Sequence, residues 1–349
     1  MKAMTHRASA AAWALVATSL AWFPISLSAQ SVRRVPIPEG TPRMMVAPFR
    51  GNESGLGPKV SGQVIDKLTA EIPMKTLIVI PQKAVCDNLQ ASGSSCDSTP
   101  DPITSKLLAT QLRADEYLEG MVTRSPAGYK LETRMVLTRD NTMVQPLPTV
   151  QGNKLGDLIN QLTKNVQDAR KQLADERKCE LAVANGNAQD GAAAARTALA
   201  AYPQSTISRV CLANAYLALK MPPDSIIGVA AKAVEIDPKN RPALALLADA
   251  YKAKYDQQKD TASLDKAVDT WAAELAADPK NVKLVQDVTE KIAASGRAER
   301  AKPIIIQAVA DNPGDPSLIH LKWLILQATK DYPDALQAGE QMVQTDTAL

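Results

Sequence analysis

The chain has 349 residues, a length that suits two or more domains of about 100–200 residues each. Lys and Arg number 40 against 37 acidic residues, and the resulting net charge of +3 lacks the basic excess that a nucleic-acid-binding surface needs. The two histidines, His6 and His320, are too few for a His-rich metal site or a two-His proton relay. Hydrophobic residues make up 45%, so the chain can bury a core and is not disordered as a whole.

Residues 1–29 have the pattern of a secretory signal peptide. A basic start with Lys2 and Arg7 precedes an apolar run from Ala8 to Phe23, and small residues follow before Gln30. This run is shorter than the ~20 residues that a membrane span needs, and an uncleaved amino-terminal anchor is the alternative. Because Gln30 stands where a lipoprotein signal requires cysteine, we expect no lipid attachment. The pattern predicts a periplasmic or secreted protein with no membrane span after signal cleavage.

All four cysteines follow this leader, and an even number of cysteines in an exported protein favours disulfide bonds. Cys86 and Cys96 flank a Ser/Gly-rich stretch that could close into a small loop. Cys179 and Cys211 would then form the second pair, across two neighbouring helices. A four-cysteine zinc site is the alternative, but the chain has no C-x-x-C pair, so we expect no metal.

A Pro-rich linker over residues 30–40 leads into residues 41–170, where short apolar runs alternate with segments of helical spacing. The order is strand, helix, strand, helix, three strands and a final helix, which predicts an α/β sandwich with helices on a mixed sheet. Asp101 is placed to cap the second helix, whose Ile103, Leu107, Leu108 and Leu112 are expected on one apolar face. Strands are expected near residues 43–49, 77–80, 116–123, 129–138 and 142–150, and helices near residues 60–72, 101–112 and 155–166.

Two sequence motifs stand out within residues 41–170. Residues 46–52 read VAPFRGN, and residues 114–122 read ADEYLEGMV. They resemble the VLPFxN opening and the ADYVLEGSV strand of the TolB amino-terminal-like domain, although that family lacks the insertion between Cys86 and Cys96. The resemblance implies a non-catalytic module of the cell envelope or of a sensory protein.

The segment from Gly51 to Lys59 is a glycine-rich turn between a predicted strand and a predicted helix, where phosphate-binding loops also occur. The G-x-x-x-x-G-K-[ST] spacing fails, because Pro58 precedes Lys59 and Ser61 is not adjacent to it. We interpret the segment as a plain turn, and we expect no nucleotide and no other cofactor.

Residues 171–349 contain an internal repeat. Prolines end apolar helical stretches at Pro203, Pro238, Pro279 and Pro313, at spacings of 35, 41 and 34 residues. This period, with two helices per unit, resembles the tetratricopeptide repeat, although Glu274 stands where a small residue is usual. The resemblance implies about five helix pairs stacked into an α-solenoid, because one pair alone cannot bury its apolar face. In the third unit the matching residues are Leu244, Leu247, Ala248, Tyr251, Ala267 and Trp271.

In the tetratricopeptide repeat family, the first helix of each pair lines a concave groove that binds peptide or protein segments. The resemblance implies that polar residues of these helices contact the partner, with asparagine bonding a peptide amide and lysines favouring an acidic ligand. For each residue, the alternative is a solvated helix face with no ligand. The residues are Asn214 in the second unit, Asp249 and Lys252 in the third, and Lys283, Gln286 and Glu290 in the fourth.

No spacing of residues singles out a nucleophile, a base and an orienting group, and His320 in its apolar run is interpreted as a partly buried structural residue. We therefore predict a non-enzymatic, exported adaptor or scaffold of the cell envelope that binds a protein or peptide segment in its repeat groove. The alternative is a sensory or assembly module whose amino-terminal domain binds a small ligand or an envelope component. That alternative requires a deep, partly polar pocket in residues 41–170. An enzyme that uses a carboxylate pair is a third class, for which no spacing names the residues.

Overall fold

The computed structural model describes residues 38–345, so the expected signal peptide and the linker up to residue 37 lie outside the described residues. The described residues belong to one compact unit. Its first part combines strands and helices, and its second part is helical. The elements of the first part are β1 (Arg43–Val46), β2 (Arg50–Gly51), α1 (Leu56–Glu71), β3 (Ile78–Val79), α2 (Gln82–Ala91), α3 (Pro102–Gln111), β4 (Glu116–Ser125), β5 (Gly128–Leu137), β6 (Asp140–Pro146), β7 (Val150–Gly152) and α4 (Leu155–Arg170).

The strands form one mixed sheet in the order β3-β1-β4-β5-β6, and β2 pairs with β4 while β7 pairs with β5. Strand β1 lies parallel to β3 and β4, whereas β4, β5 and β6 are antiparallel neighbours. The expected mixed sheet is confirmed. The single strand expected over residues 142–150 is wrong: β6 ends at Pro146, and β7 starts after Pro148. Proline has no backbone N–H to donate to a neighbouring strand, so it interrupts the ladder.

Helices cover both faces of the sheet. Met44 packs with α1 and α4, whereas Met45 packs with α2 and α3, because successive strand residues point to opposite faces. At one edge of the layer, Arg170 in α4 donates to the Glu116 carboxylate in β4 at 2.5 Å. Glu116 is 2% exposed, and burial raises the pKa of its carboxyl while the Arg170 cation opposes that rise. This buried ion pair ties the last helix of the α/β part to the sheet.

In the α2–α3 region the sequence patterns missed one helix and misplaced two apolar residues. No helix was expected between residues 82 and 91, but α2 forms there because Val85 and Leu89 share one side and bury against the sheet. Asp101 caps α3 as expected, accepting from the backbone N–H groups of Ile103 and Thr104 at 2.8 and 3.1 Å. Ile103 itself is 73% exposed, so its expected place on the buried face is wrong.

Leu107 is also exposed, whereas Leu108 is buried as expected, next to Ala109, and Leu112 packs partly against the same cluster. The apolar residues of α3 cover more of the helix surface than the neighbouring layer buries. An apolar stripe on a short helix can be wider than the contact that the neighbouring layer offers, so one edge of it stays in solvent.

The glycine-rich turn brings the start of α1 against the segment that joins β1 to β2. Gly55 has a left-handed backbone, with φ of 72°, which favours glycine. Gly57 lies in the first turn of α1, where a Cβ atom would be 1.9 Å from the backbone oxygen of Phe49. A close approach of two backbone segments therefore requires glycine at position 57.

Ten helices follow, joined by short turns, within the described part of the chain. Each helix packs against the preceding and the following one, so they form five antiparallel pairs. They are α5 (Leu173–Ala184), α6 (Ala188–Ala201), α7 (Ile207–Ala218), α8 (Pro223–Ile236), α9 (Arg241–Gln258), α10 (Thr261–Ala277), α11 (Val282–Ala294), α12 (Ala298–Asp311), α13 (Pro316–Ala328) and α14 (Tyr332–Thr345).

Four equivalent residues cap the odd-numbered helices after α5. Each side chain accepts a hydrogen bond from the backbone N–H three residues later, which satisfies a donor that a helix start leaves unpaired. The recurring proline turns thus end one helix and place the cap of the next. The accepting side chains and the residues whose N–H groups donate to them are Ser205 and Ser208 at 2.8 Å, Asn240 and Ala243 at 3.0 Å, Asn281 and Leu284 at 3.1 Å, and Asp315 and Leu318 at 3.0 Å.

The two cysteine pairs suggested by the sequence lie at disulfide distance. Cys86 in α2 pairs with Cys96, with 4.8 Å between their Cα atoms. Cys179 in α5 pairs with Cys211 in α7, with 6.3 Å between their Cα atoms. The second bond joins the first helices of two successive pairs, which restricts how far these pairs can separate when the chain unfolds.

Candidate functional site

The odd-numbered helices form the surface on which the sequence places its candidate binding residues. Helix α5 contacts α7, α7 contacts α9, and α11 contacts α13. We call the surface formed by α5, α7, α9, α11 and α13 the odd-helix face. The four caps mark equivalent positions along it, so residues at the same distance from a cap can be compared between helices.

The first part of the odd-helix face is covered by the chain itself. Strand β6 contacts both α7 and α9. Leu137 at the end of β5 and Met143 in β6 form one buried cluster with Ile207 and Val210 of α7. The β5–β6 hairpin therefore lies on the surface that the family resemblance assigns to a partner.

A buried network of polar side chains holds the hairpin there. The side chain of Gln145 in β6 accepts from the backbone N–H of Thr206 at 2.9 Å and donates to the backbone oxygen of Gln204 at 3.0 Å. The Thr206 hydroxyl donates to the backbone oxygen of Val144 at 2.7 Å, and Gln172 donates to Gln145 at 3.3 Å. Gln145, Gln172 and Thr206 are fully buried. Buried polar groups that satisfy one another specify a single arrangement, so the hairpin is a fixed part of the fold.

An ion pair at the hairpin turn adds to this contact. Arg139 donates to Glu176 of α5 at 2.5 Å and to Glu180 of α5 at 2.7 Å. The Glu176 side chain is fully buried, and burial raises the pKa of its carboxyl while the Arg139 cation opposes that rise. These partners lie 37 and 41 residues apart, so no local pattern singled them out. The only sequence signal is that two acidic residues one helical turn apart share one side of α5.

At positions equivalent to the covered ones, α11 and α13 are open. Ile207 and Val210, two and five residues after the Ser205 cap, are 0% and 3% exposed. The equivalent residues of α11 are Lys283, which is exposed, and Gln286, which is half-buried. In α13 they are Ser317 and His320, both exposed. The face thus changes from apolar and covered to polar and open along the chain.

The six candidate residues do not all have free side chains. Asn214 is exposed on α7, and Glu290 is exposed on α11. The Asp249 carboxylate accepts from Trp271 Nε1 at 3.2 Å and from Lys291 Nζ at 3.0 Å, so it links α9 to α10 and α11. Asp249 therefore already serves as a contact between successive helix pairs.

The lysines of the candidate set are also placed differently from one another. Lys252 is half-buried and pairs with Asp256 one turn later at 2.7 Å. Lys283 is 83% exposed, and its Nζ lies 3.7 Å from Asp287. An exposed pair of this kind is weak, so a ligand can compete for Lys283 more readily than for Lys252.

His320 is exposed, and its expected partial burial is wrong. The buried side of α13 is formed by Leu318, Ile319 and Leu321, so His320 faces outward between them. Its ring centroid lies 6.0 Å from that of Trp323. The histidine consequently belongs to the open part of the odd-helix face.

Glu274 of α10 is a buried carboxylate without a hydrogen-bond partner among the described residues. It is 6% exposed, and its Oε2 atom is both buried and unpaired. Burial raises the pKa of this carboxyl, while Lys291 and Arg241 oppose the rise. A carboxyl whose pKa is raised by folding stabilises the fold below its unfolded pKa and loses that contribution as the pH rises through the folded pKa.

We expect Glu274→Gln to raise the free energy of unfolding at pH 7 by on the order of 1 kcal/mol, because it removes a buried charge and keeps the shape. The gain should shrink as the pH falls towards 4, where the wild-type carboxyl is protonated in both states. Urea unfolding from pH 4 to pH 8 measures this difference. Glu290→Gln, at an exposed site, is the control and should change stability little. A Glu274→Gln gain that does not depend on pH would contradict the assignment.

Residues 38–345 contain neither a candidate membrane-spanning helix nor a candidate metal-binding cluster. Within this range, no helix combines the length and the apolar character that a membrane crossing requires. No group of three or more His, Cys, Asp or Glu side chains in the same range is arranged to hold a metal ion.

No protein-family model and no curated protein match the chain. Solved structures similar to it include a thermophilic TPR protein of Thermus thermophilus, at 18% identity and a TM-score of 0.35 over 50% of this chain and 92% of that one. A MamA protein is similar at 14% identity and a TM-score of 0.39, over 50% of this chain and 91% of its own. Pseudomonas aeruginosa PilF is similar at 17% identity and a TM-score of 0.36, over 51% of this chain and 77% of its own. The chain is thus similar, over about half of its length, to solved structures that include a tetratricopeptide repeat protein.

Proposed function

We propose that this chain is an exported, non-enzymatic scaffold of the cell envelope that binds a protein or peptide segment on α11 and α13. One observation carries the proposal. At equivalent positions the odd-helix face is apolar and covered by the β5–β6 hairpin in α7, and polar and open in α11 and α13. The odd-helix face is thus partly covered by the chain itself and partly available to a partner.

One row of exposed side chains on the odd-helix face suits a peptide. Nine residues after their caps stand Asn214, Asp249, Glu290 and Leu324, all exposed. This row combines hydrogen-bonding groups with an apolar side chain, which is the mixture found in protein interfaces. The tetratricopeptide resemblance supports the same use of the first helix of each pair.

Export is supported by the leader pattern of residues 1–29 and by the two cysteine pairs at disulfide distance. Disulfide bonds persist in oxidising compartments and are rare in the cytosol. The α/β part is proposed to be a TolB-like module that is fixed to the helices by the hairpin. It would hold the binding helices at a set position in an envelope complex.

A capture experiment tests the proposal. Residues 30–349, produced in an oxidising compartment and immobilised, are exposed to an envelope extract of the producing cell. The double variant Gln286→Ala plus Glu290→Ala alters the open face on α11. The control is Lys232→Ala plus Glu235→Ala, which removes an exposed ion pair from α8, an even-numbered helix. Both variants change exposed or half-buried side chains, so both should fold.

We expect one protein to be captured by the wild type and by the α8 variant, and its recovery to fall at least tenfold with the α11 variant, since a loss of 1.4 kcal/mol corresponds to a factor of ten. Equal recovery with all three proteins would place the binding surface elsewhere. Capture of nothing would contradict the scaffold function.

A further inference from the structure

The open part of the odd-helix face, on α11 and α13, has an acidic side chain that nothing in the described part of the chain neutralises. Both lysines of α11 are engaged. Lys283 Nζ lies 3.7 Å from Asp287, and Lys291 Nζ contacts the Asp249 carboxylate at 3.0 and 3.2 Å. Glu290 is exposed and forms no ion pair and no hydrogen bond with another described residue. The unbalanced charge of α11 on this surface is therefore negative.

Helix α13 adds exposed apolar and aromatic surface. Residues three and four positions apart lie on one side of a helix, so His320, Trp323 and Leu324 lie together. Leu324 is 47% exposed, and the half-buried Trp323 has its ring centroid 6.0 Å from that of His320. Lys322, the single lysine of α13, is two positions from His320 and so lies on a different side of the helix. We call His320, Trp323 and Leu324 the α13 patch.

The acidic side chain and the α13 patch stand at the same level of neighbouring helices. Glu290 and Leu324 each lie nine residues after the cap of their helix, and α11 contacts α13. The preceding helices show how close such positions come. Asp249, nine residues after the cap of α9, contacts Lys291, ten residues after the cap of α11. One short peptide segment can therefore meet both features.

We propose, as a refinement that rests on the proposed binding function of this face, that the partner segment carries a lysine or arginine next to an apolar residue. The cation pairs with Glu290, and the apolar side chain packs on the α13 patch. Charge complementarity selects among partners, while burial of apolar surface provides affinity. The family resemblance led us to expect that lysines of this face favour an acidic ligand. Those of α11 are occupied by aspartates, so the preference is reversed.

Selection from a phage-displayed library of random heptapeptides tests this preference. The library is selected on immobilised residues 30–349, and an enriched peptide is synthesised and titrated by calorimetry. The variants Glu290→Lys and Leu324→Ser change the acidic side chain and the α13 patch, and both sites are exposed. The matched control is Glu299→Lys, because Glu299 is also exposed but lies on α12, an even-numbered helix.

We expect the enriched peptides to share a lysine or arginine beside a large apolar residue. Glu290→Lys and Leu324→Ser should each weaken their binding by about tenfold or more, and Glu299→Lys should leave it within about twofold. Selection on the Glu290→Lys variant should enrich acidic peptides instead.

Enrichment of acidic peptides on the wild type, or equal weakening by Glu290→Lys and Glu299→Lys, would overturn the inference. These results differ from a failure of the binding function itself. In that case no peptide would be enriched, and the envelope extract would also yield no captured protein. A captured protein whose recovery does not change with Glu290→Lys would contradict only the charge preference.

Discussion

Arg139→Met is expected to lower the free energy of unfolding by about 3–5 kcal/mol, the range found when one partner of a buried ion pair is removed. Methionine keeps much of the apolar stem of arginine but leaves the Glu176 carboxylate, which is fully buried, without its cation. The β5–β6 hairpin would then pack on α5 with an unpaired, buried carboxylate between them. Chemical unfolding at pH 7, followed by circular dichroism, measures the loss.

Arg177→Met is the matched control, because Arg177 pairs with the same Glu180 at 2.8 Å but is 48% exposed. An exposed pair of this kind contributes less than about 0.5 kcal/mol. The double variant Arg139→Met plus Glu176→Gln should recover most of the lost stability, since it removes both charges. The defect of Arg139→Met should also shrink at lower pH, where Glu176 is protonated. Equal losses for Arg139→Met and Arg177→Met would show that the hairpin contact does not depend on this pair.

Gly57→Ala is expected to destabilise the fold by more than about 3 kcal/mol or to prevent folding, which places it among the exceptional single substitutions. The added Cβ would lie 1.9 Å from the backbone oxygen and 2.6 Å from the backbone carbon of Phe49. These are backbone atoms, so no side chain can move aside to relieve the clash. Thermal unfolding, together with the yield of soluble protein, measures the effect.

Gly156→Ala, in the same part of the chain, is the control and is expected to stabilise the fold instead of destabilising it. Gly156 lies in the first turn of α4, and a Cβ there would meet no atom within 4 Å. Replacing an unconstrained helical glycine with alanine should stabilise the protein by about 0.4–1 kcal/mol. If Gly57→Ala were as stable as the wild type, the close approach of α1 to the backbone of Phe49 would be wrong.

Because the β5–β6 hairpin covers part of the odd-helix face, the candidate binding residues are not equally available to a partner. The family resemblance implies the same binding role for the first helix of every pair. With α7 covered by the hairpin and Asp249 engaged by Trp271 and Lys291, the available surface shifts towards α11 and α13. His320 and Leu324, to which the sequence patterns gave no binding role, stand at positions equivalent to Gln286 and Glu290 and belong to this surface.

Local patterns predicted much of the architecture. Strands were expected near residues 116–123 and 129–138, and β4 and β5 form there. The prolines of the repeat indicated where each helix pair ends, because proline stops a helix and its turn places a capping residue for the next. These features depend on residues within a few positions of one another, where sequence and geometry are closely linked.

The sequence by itself determined where most strands and helices form, because these follow from short-range propensity and periodicity. It only suggested the two cysteine pairings. Only the tertiary structure decided that the β5–β6 hairpin lies on α7 and which candidate residues remain free. Arg139 meets Glu176 across 37 positions, and Gln145 meets Thr206 across 61. Contacts of that separation depend on how whole layers pack, and polar side chains alone do not specify which distant partner they will meet.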